Sequence, residues 1–273
     1  IGHFLDNKWK QNTNIYLAAN GGSNIPAQLT LLEDHLSGKL NSLTGPPAIS
    51  KNINVLLYFY EGNDLENTAS SKSVPFQSQK DKSRLNFPIE YAIRTAKRNF
   101  NKKFKRTSNS DILPSSPSSP SSHNKICIGT TCRNMPPLQS ASAGLSEKQI
   151  FNEVSYLESS VKNFSSKYPE ASICLVYIPS PSTIYSPKGE FFYQKYSVHS
   201  STATSKTDSK SNNSKSLLIR RLLRDRLNFN AMTFVDPTNA LKKVSVKEFL
   251  HGENDPKHFN ANGYRLLAGV TAQ

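Results

Sequence analysis

The chain has 273 residues, 34 Lys and Arg against 20 Asp and Glu, and a formal net charge of +14. That length accommodates one α/β domain with insertions. No apolar run approaches the roughly 18 residues that a membrane-crossing helix needs, and no Cys/His spacing fits a metal site, so no metal or cofactor is implied. The basic excess comes without the stacking modules or zinc-finger spacing of a sequence-reading nucleic-acid binder.

In chain order, 1–9 read as a helix and Asn14–Ala19 as a strand that runs into Asn20-Gly21-Gly22-Ser23. Helical apolar spacing follows over 27–43 (Leu29, Leu32, Leu36, Leu40) and stops at Pro46-Pro47. Ile53–Tyr60 is a near-continuous apolar, β-branched and aromatic run, the pattern of a strand buried on both faces of a parallel sheet. It ends abruptly in Glu61-Gly62-Asn63-Asp64. A basic stretch, Lys80 to Arg106, encloses a candidate helix over 87–104. The Ser/Pro-rich 108–122 has too few apolar groups to offset the entropy of ordering and reads as unstructured.

Surface insertions are expected at about 66–145 and 197–216, with no regular structure over 200–214. Cys127 and Cys132 in the first insertion have two readings, a small disulfide if the protein is exported or free thiols. Ser146 with Gln149 three residues on is a capping-box pattern that starts a helix through Phe164. Ser172–Pro179 is a second buried strand, enclosing Cys174, and opens into a loop whose Tyr185 is a candidate substrate wall. Leu217–Leu227 is an amphipathic helix with a solvated arginine face. Met232–Val235 is the last strand, stopped by Asp236-Pro237, and a helix carrying Tyr264, Leu266, Leu267 and Val270 closes the chain. Alternating helix and buried strand argue for a three-layer α/β/α sandwich with a parallel sheet. No repeat is evident.

Two turns carry chemistry. In Asp255-Pro256-Lys257-His258 a carboxylate stands three residues before an imidazole. A neutral imidazole can take a proton from a hydroxyl, and a carboxylate on its other nitrogen fixes the tautomer and stabilises the imidazolium. The alternative is that Asp255 caps the last helix and His258 is a surface residue. Asn63 follows a buried strand at its carboxyl end, where ligands bind in open α/β sheets. Its side-chain amide there could donate to a developing oxyanion; the alternative is a plain turn.

Together these turns resemble the SGNH hydrolase superfamily of GDSL-like esterases and lipases, and their wider phrasing resembles a bacterial subgroup of it. Gly62-Asn63-Asp64 matches the family's third block and Asp255 to His258 its fifth. Gly22, after the second strand, matches the second block, with Gly21 as the fallback. The resemblance implies a flavodoxin-like strand order, an acyl-ester substrate and no cofactor. It assigns His258 as base, Asp255 as its partner, and Asn63 and Gly22 as oxyanion donors. The family's Gly-Asp-Ser block, which supplies the nucleophilic serine, is not in this sequence. A strand, crossover helix and strand need roughly 30 residues, so that serine is expected before Ile1. The chain then reads as a fragment without its first, central strand. The expected partner is an ester of a glycan or lipid; the basic excess has two readings, attraction to an anionic surface, as in the cell envelope or periplasm, or simply a solvated basic insertion, and the second is preferred. An acyltransferase acting on a cell-envelope polysaccharide, or a binding module that lost the serine, are the alternatives.

Overall fold

A computed structural model describes residues 24–37, 53–65, 123–195, 203–228, 232–252, 255 and 257–272. They belong to one of two compact units of the chain; the other, 72–121, lies outside the described residues. So do the strand expected at 14–19, the basic helix at 87–104 and the Ser/Pro-rich 108–122.

The fold is mixed α/β. Strands β1 (Asn54–Tyr60), β5 (Ser172–Ile178) and β8 (Met232–Val235) form a parallel sheet in the order β1-β5-β8. The register runs from Asn54 opposite Ser172 to Tyr60 opposite Ile178, and from Ile173 opposite Met232 to Val176 opposite Val235. Helices α1 (Ile25–Leu36), α3 (Glu147–Lys167) and α5 (Ser209–Arg226) pack their apolar stripes in one core with Val55, Leu57, Phe59, Ile173, Leu175 and Tyr177. Residues of the other parity, such as Val176, join a second core with Ile184 of α4 (Pro181–Tyr185), Leu241 of α6 (Thr238–Ser245) and Leu267 of α7 (Ala261–Thr271). The period-2 alternation of a strand is what divides the two sets.

Local chemistry sets the helix starts. Asn24 Oδ1 accepts from Ala27 N at 3.0 Å, so α1 begins two residues before its expected start, with Pro26 in the first turn where no N–H is needed. The capping box at Ser146 and Gln149 forms as its spacing predicts. Along α3, Ile150, Val154, Leu157, Val161 and Phe164 are buried, each contributing about 1.5–3 kcal/mol relative to exposure.

A smaller assembly lies beside this sheet. β2 (Asn124–Ile128) and β3 (Thr131–Met135) form a hairpin closed by Gly129 at φ 56° and by the Cys127–Cys132 disulfide. β4 (Leu138–Gln139), followed by the short helix α2 (Ala141–Gly144), pairs in parallel with β6 (Glu190–Lys195), which pairs antiparallel with β7 (Ala203–Asp208). Asn124 ties the hairpin to β6, donating to Phe192 O at 2.8 Å and accepting from Phe192 N at 2.7 Å.

Three expectations need correction. The segment 200–214 is not without regular structure: 203–208 is β7, and α5 starts at Ser209 with Asp208 as its cap. The helix was hidden because its first buried positions are polar. Ser209, Asn212 and Ser216 stand at helical spacing ahead of the buried Ile219 and Leu223. Second, the face of α5 that carries arginine is not simply solvated. Arg220 and Asp236 pair at 3.2 Å, both side chains largely buried, because the helix lies against the end of β8. Third, β1 is not buried on both faces along its length: Leu56 is 39% exposed. β5, flanked by strands on both sides, has the doubly buried pattern instead.

Candidate functional site

The three parallel strands end on the same edge of their sheet, and both chemistry-bearing turns belong to that edge. The first leaves β1. Glu61 N extends the ladder by one bond, to Ile178 O at 3.0 Å. The chain then folds back, with Asp64 N on Tyr60 O at 3.1 Å and Tyr60 N on Asp64 Oδ2 at 2.7 Å. A Cβ at Gly62 would lie 2.3 Å from the Tyr60 ring, so any larger residue there must displace that ring. Asn63 is half-buried, and its side-chain amide has no hydrogen-bond partner among the described residues. Among the described residues, an amide donor without a partner therefore stands at the carboxyl end of β1. Burial raises the Asp64 carboxyl to about 7, although its bond from Tyr60 N pulls the other way.

The second turn precedes α7. Its ends are clamped: His251 and Phe259 form an isolated bridge, Gly252 N donates to His258 O at 3.2 Å, and Asn260 N donates to Leu250 O at 2.8 Å. Asn260, not Asp255, caps α7, accepting from Gly263 N at 3.0 Å. Gly263 passes so close to this clamp that a Cβ would sit 2.5 Å from Leu250 O and 2.8 Å from the Phe259 Cβ. Gly263→Ala is expected to destabilise the protein by about 1–3 kcal/mol, as overpacking does, read as a lower urea midpoint with unchanged slope.

Within the clamp, His258 Nδ1 and Asp255 Oδ2 are 2.6 Å apart, and Asp255 Oδ1 accepts from Lys257 N at 3.2 Å. The bond to His258 holds the Asp255 carboxyl below its usual range. Both side chains are exposed, His258 by 67%. With Nδ1 engaged by the carboxylate, Nε2 is the nitrogen left to act as base.

The clamp is docked on α4. Tyr185 Oη accepts from Leu250 N at 2.9 Å and from His251 N at 3.1 Å, and lies 2.9 Å from His251 Nδ1. Two N–H donors already occupy the phenol oxygen, so its proton goes to Nδ1. His251 is then neutral with its proton on Nε2, in keeping with burial that lowers its pKa to about 3. The Tyr185 hydroxyl is thus committed to holding the turn. The ring of Phe249, which Tyr185 contacts, is covered by Arg133 of β3 at 4.2 Å.

Tyr60, at the end of β1, has a buried hydroxyl. Burial is the first cause of its raised pKa, followed by the charges of Glu61, Asp64 and Asp255 and then Tyr264. Asp255 thus lies within electrostatic reach of the β1 turn. Of the expected site residues, His258 and Asp255 are brought together and Asn63 stands at the same sheet edge. Gly22, like Gly21 and Ser23, lies outside the described residues. Among the described residues, no cluster of His, Cys, Asp or Glu could hold a metal, and no helix is long and apolar enough to cross a membrane.

The buried groups that organise this edge had no sequence signal strong enough to single them out. Glu61 is fully buried and its carboxylate accepts from three donors. His251, only seven residues before His258, is the buried histidine of the pair. The polar stripe Ser209, Asn212 and Ser216 was readable only by allowing polar residues at helical spacing to be a buried face.

No protein-family model, curated protein or solved structure matches the chain.

Proposed function

We propose that this chain is part of an SGNH-type serine esterase in which His258 is the general base and Asp255 orients it. The observation that carries the reading is the 2.6 Å contact between Asp255 and the inner nitrogen of His258, which leaves Nε2 for a hydroxyl. The Asn63 amide at the carboxyl end of β1, without a partner among the described residues, supports it. The finer fold reading is a three-layer sandwich of flavodoxin-like order, with the family's first strand beside β1. It is supported by the β1-β5-β8 order and by apolar clusters on both strand parities.

In this mechanism a serine outside the present sequence attacks the ester carbonyl while His258 Nε2 takes its proton. The carbonyl oxygen becomes an oxyanion, held by the Asn63 amide and the Gly22 N–H. As the intermediate collapses, His258 returns the proton to the leaving alcohol, and an acyl-serine remains. Water, activated by His258 in the same way, then releases the acid.

The second reading is an O-acyltransferase on a cell-envelope polysaccharide. The two readings share the same base and oxyanion donors and differ only in whether water or a sugar hydroxyl takes the acyl group. The net charge of +14 suits an anionic surface or glycan in either reading.

Asn63→Ala in a longer chain carrying the Gly-Asp-Ser strand tests the assignment. Turnover of p-nitrophenyl acetate should fall by about 100- to 1,000-fold in kcat, as for loss of one oxyanion donor, with little change in KM. A change confined to KM would place Asn63 in ground-state binding and sink its oxyanion role.

A further inference from the structure

We infer that Glu61 is the positioning residue of this site, locking the turn that presents Asn63. The inference rests on the ester-cleaving reading of Asn63. Glu61 stands two residues before Asn63 and is fully buried. Its Oε2 accepts from Ser180 N at 2.9 Å, at the end of β5. Its Oε1 accepts from Ser142 Oγ of α2 and from Thr183 Oγ1 of α4, both at 2.8 Å. One carboxylate thus fastens the start of the β1 turn to a second strand end and two helices.

Further buried polar groups surround those donors. Asn212 Oδ1 of α5 lies 2.7 Å from Ser142 Oγ and 2.8 Å from Ser140 Oγ, and Ser216 Oγ lies 3.1 Å from Thr183 Oγ1. Such a network is costly to build: a buried ionic group is often no better for stability than an apolar residue of similar size. What it supplies is geometry. Asn63 N has only a long 3.4 Å contact to Tyr60 O, so the turn is held by its flanks. Asp64 fixes one flank through Tyr60 N, and Glu61 fixes the other to the rest of the sheet edge.

The donors also decide which substitutions can be absorbed. In Glu61→Gln, the amide oxygen can accept from Ser180 N, whose direction is fixed. The amide NH2 then meets Ser142 and Thr183, whose hydroxyl protons can turn to Asn212 Oδ1 and Ser216 Oγ. Glu61→Leu fills similar space but leaves Ser180 N and both hydroxyls without the carboxylate.

The test is a double-mutant cycle with a second readout that needs no activity. In the Gly-Asp-Ser-bearing chain, Glu61→Gln should stay within about threefold of the parent in kcat, whereas Glu61→Leu should lose about 100-fold with KM little changed. Adding Glu61→Leu to Asn63→Ala should cost nothing more, because the two act through one donor. The side-chain amide resonances of Asn63, assigned by their loss in Asn63→Ala, should shift in Glu61→Leu and barely move in Glu61→Gln. Losses that multiply in the cycle, or Asn63 resonances unmoved by Glu61→Leu, would overturn the inference. If Glu61→Leu does not fold, Ser142→Ala with Thr183→Val removes two of the same donors and must give the same pattern. If no ester is cleaved at all, the esterase reading fails, and the Asn63 resonances still decide the role of Glu61.

Discussion

Changing His258 to alanine in a chain that carries the nucleophile should lower ester turnover by about 100- to 10,000-fold, the usual contribution of a positioned acid–base group. The loss should appear in kcat, because the imidazole acts on protons in flight rather than on bound substrate. Global stability should change little, since His258 is 67% exposed and stands in a turn whose clamp is made by backbone bonds and by His251, Phe259 and Asn260. Asp255→Ala should be milder: the base survives, but nothing fixes its ring or tautomer, and Lys257 N loses its acceptor. Steady-state kinetics on short activated esters measures all of this. Equal kcat for parent and His258→Ala would remove the histidine from the chemistry.

The other large effect concerns stability against pH. The Asp64 carboxyl rises from an ordinary 3.8 to about 7 on folding. The folded protein therefore holds an extra proton between those values, and its stability falls as pH rises through that window. His251 does the opposite, dropping from 6.5 to about 3, so stability is lost as pH falls from 6.5 towards 3. The slopes oppose one another between about pH 4 and 6.5, where the parent should be nearly flat.

Asp64→Asn keeps an oxygen for Tyr60 N and removes the titration. The variant should match the parent near pH 4 and become more stable above pH 7, by up to about 4 kcal/mol at about 1.4 kcal/mol per pKa unit. It should also uncover the rise with pH that His251 causes between about 3 and 6.5. Urea midpoints from pH 3 to 8 make the comparison. Parallel profiles for parent and variant would mean that Asp64 is ionised in the folded state at neutral pH.

Apolar pattern and capping chemistry were enough to locate β1, β5, β8 and α3. Those signals come from residues whose burial is itself apolar. The spacing of Asp255 and His258 carried their contact for a similar reason: three residues in a tight turn leave few other arrangements. The first half of α5 was not legible, because Ser209, Asn212 and Ser216 are buried for the hydrogen bonds they make. The strands β6 and β7 escaped notice because β7 carries mostly Thr, Ser and Lys, while Phe191 and Tyr193 of β6 supply the apolar anchor. Glu61 was invisible as a core residue, since a carboxylate reads as surface until its donors are seen on three other elements. Tyr185 was legible as a residue of the edge, but not as a brace whose hydroxyl serves two backbone amides and a histidine.

The most direct test of the esterase reading is covalent labelling with a fluorophosphonate, which reacts with a serine only where a base activates it. The longer chain carrying the Gly-Asp-Ser strand should take up one label, mapped by peptide mass to that serine, with labelling much reduced in His258→Ala. Residues 1–273 alone should take up none. Label on a serine within 1–273, Ser23 for example, or labelling of the longer chain that is indifferent to His258, would contradict the account.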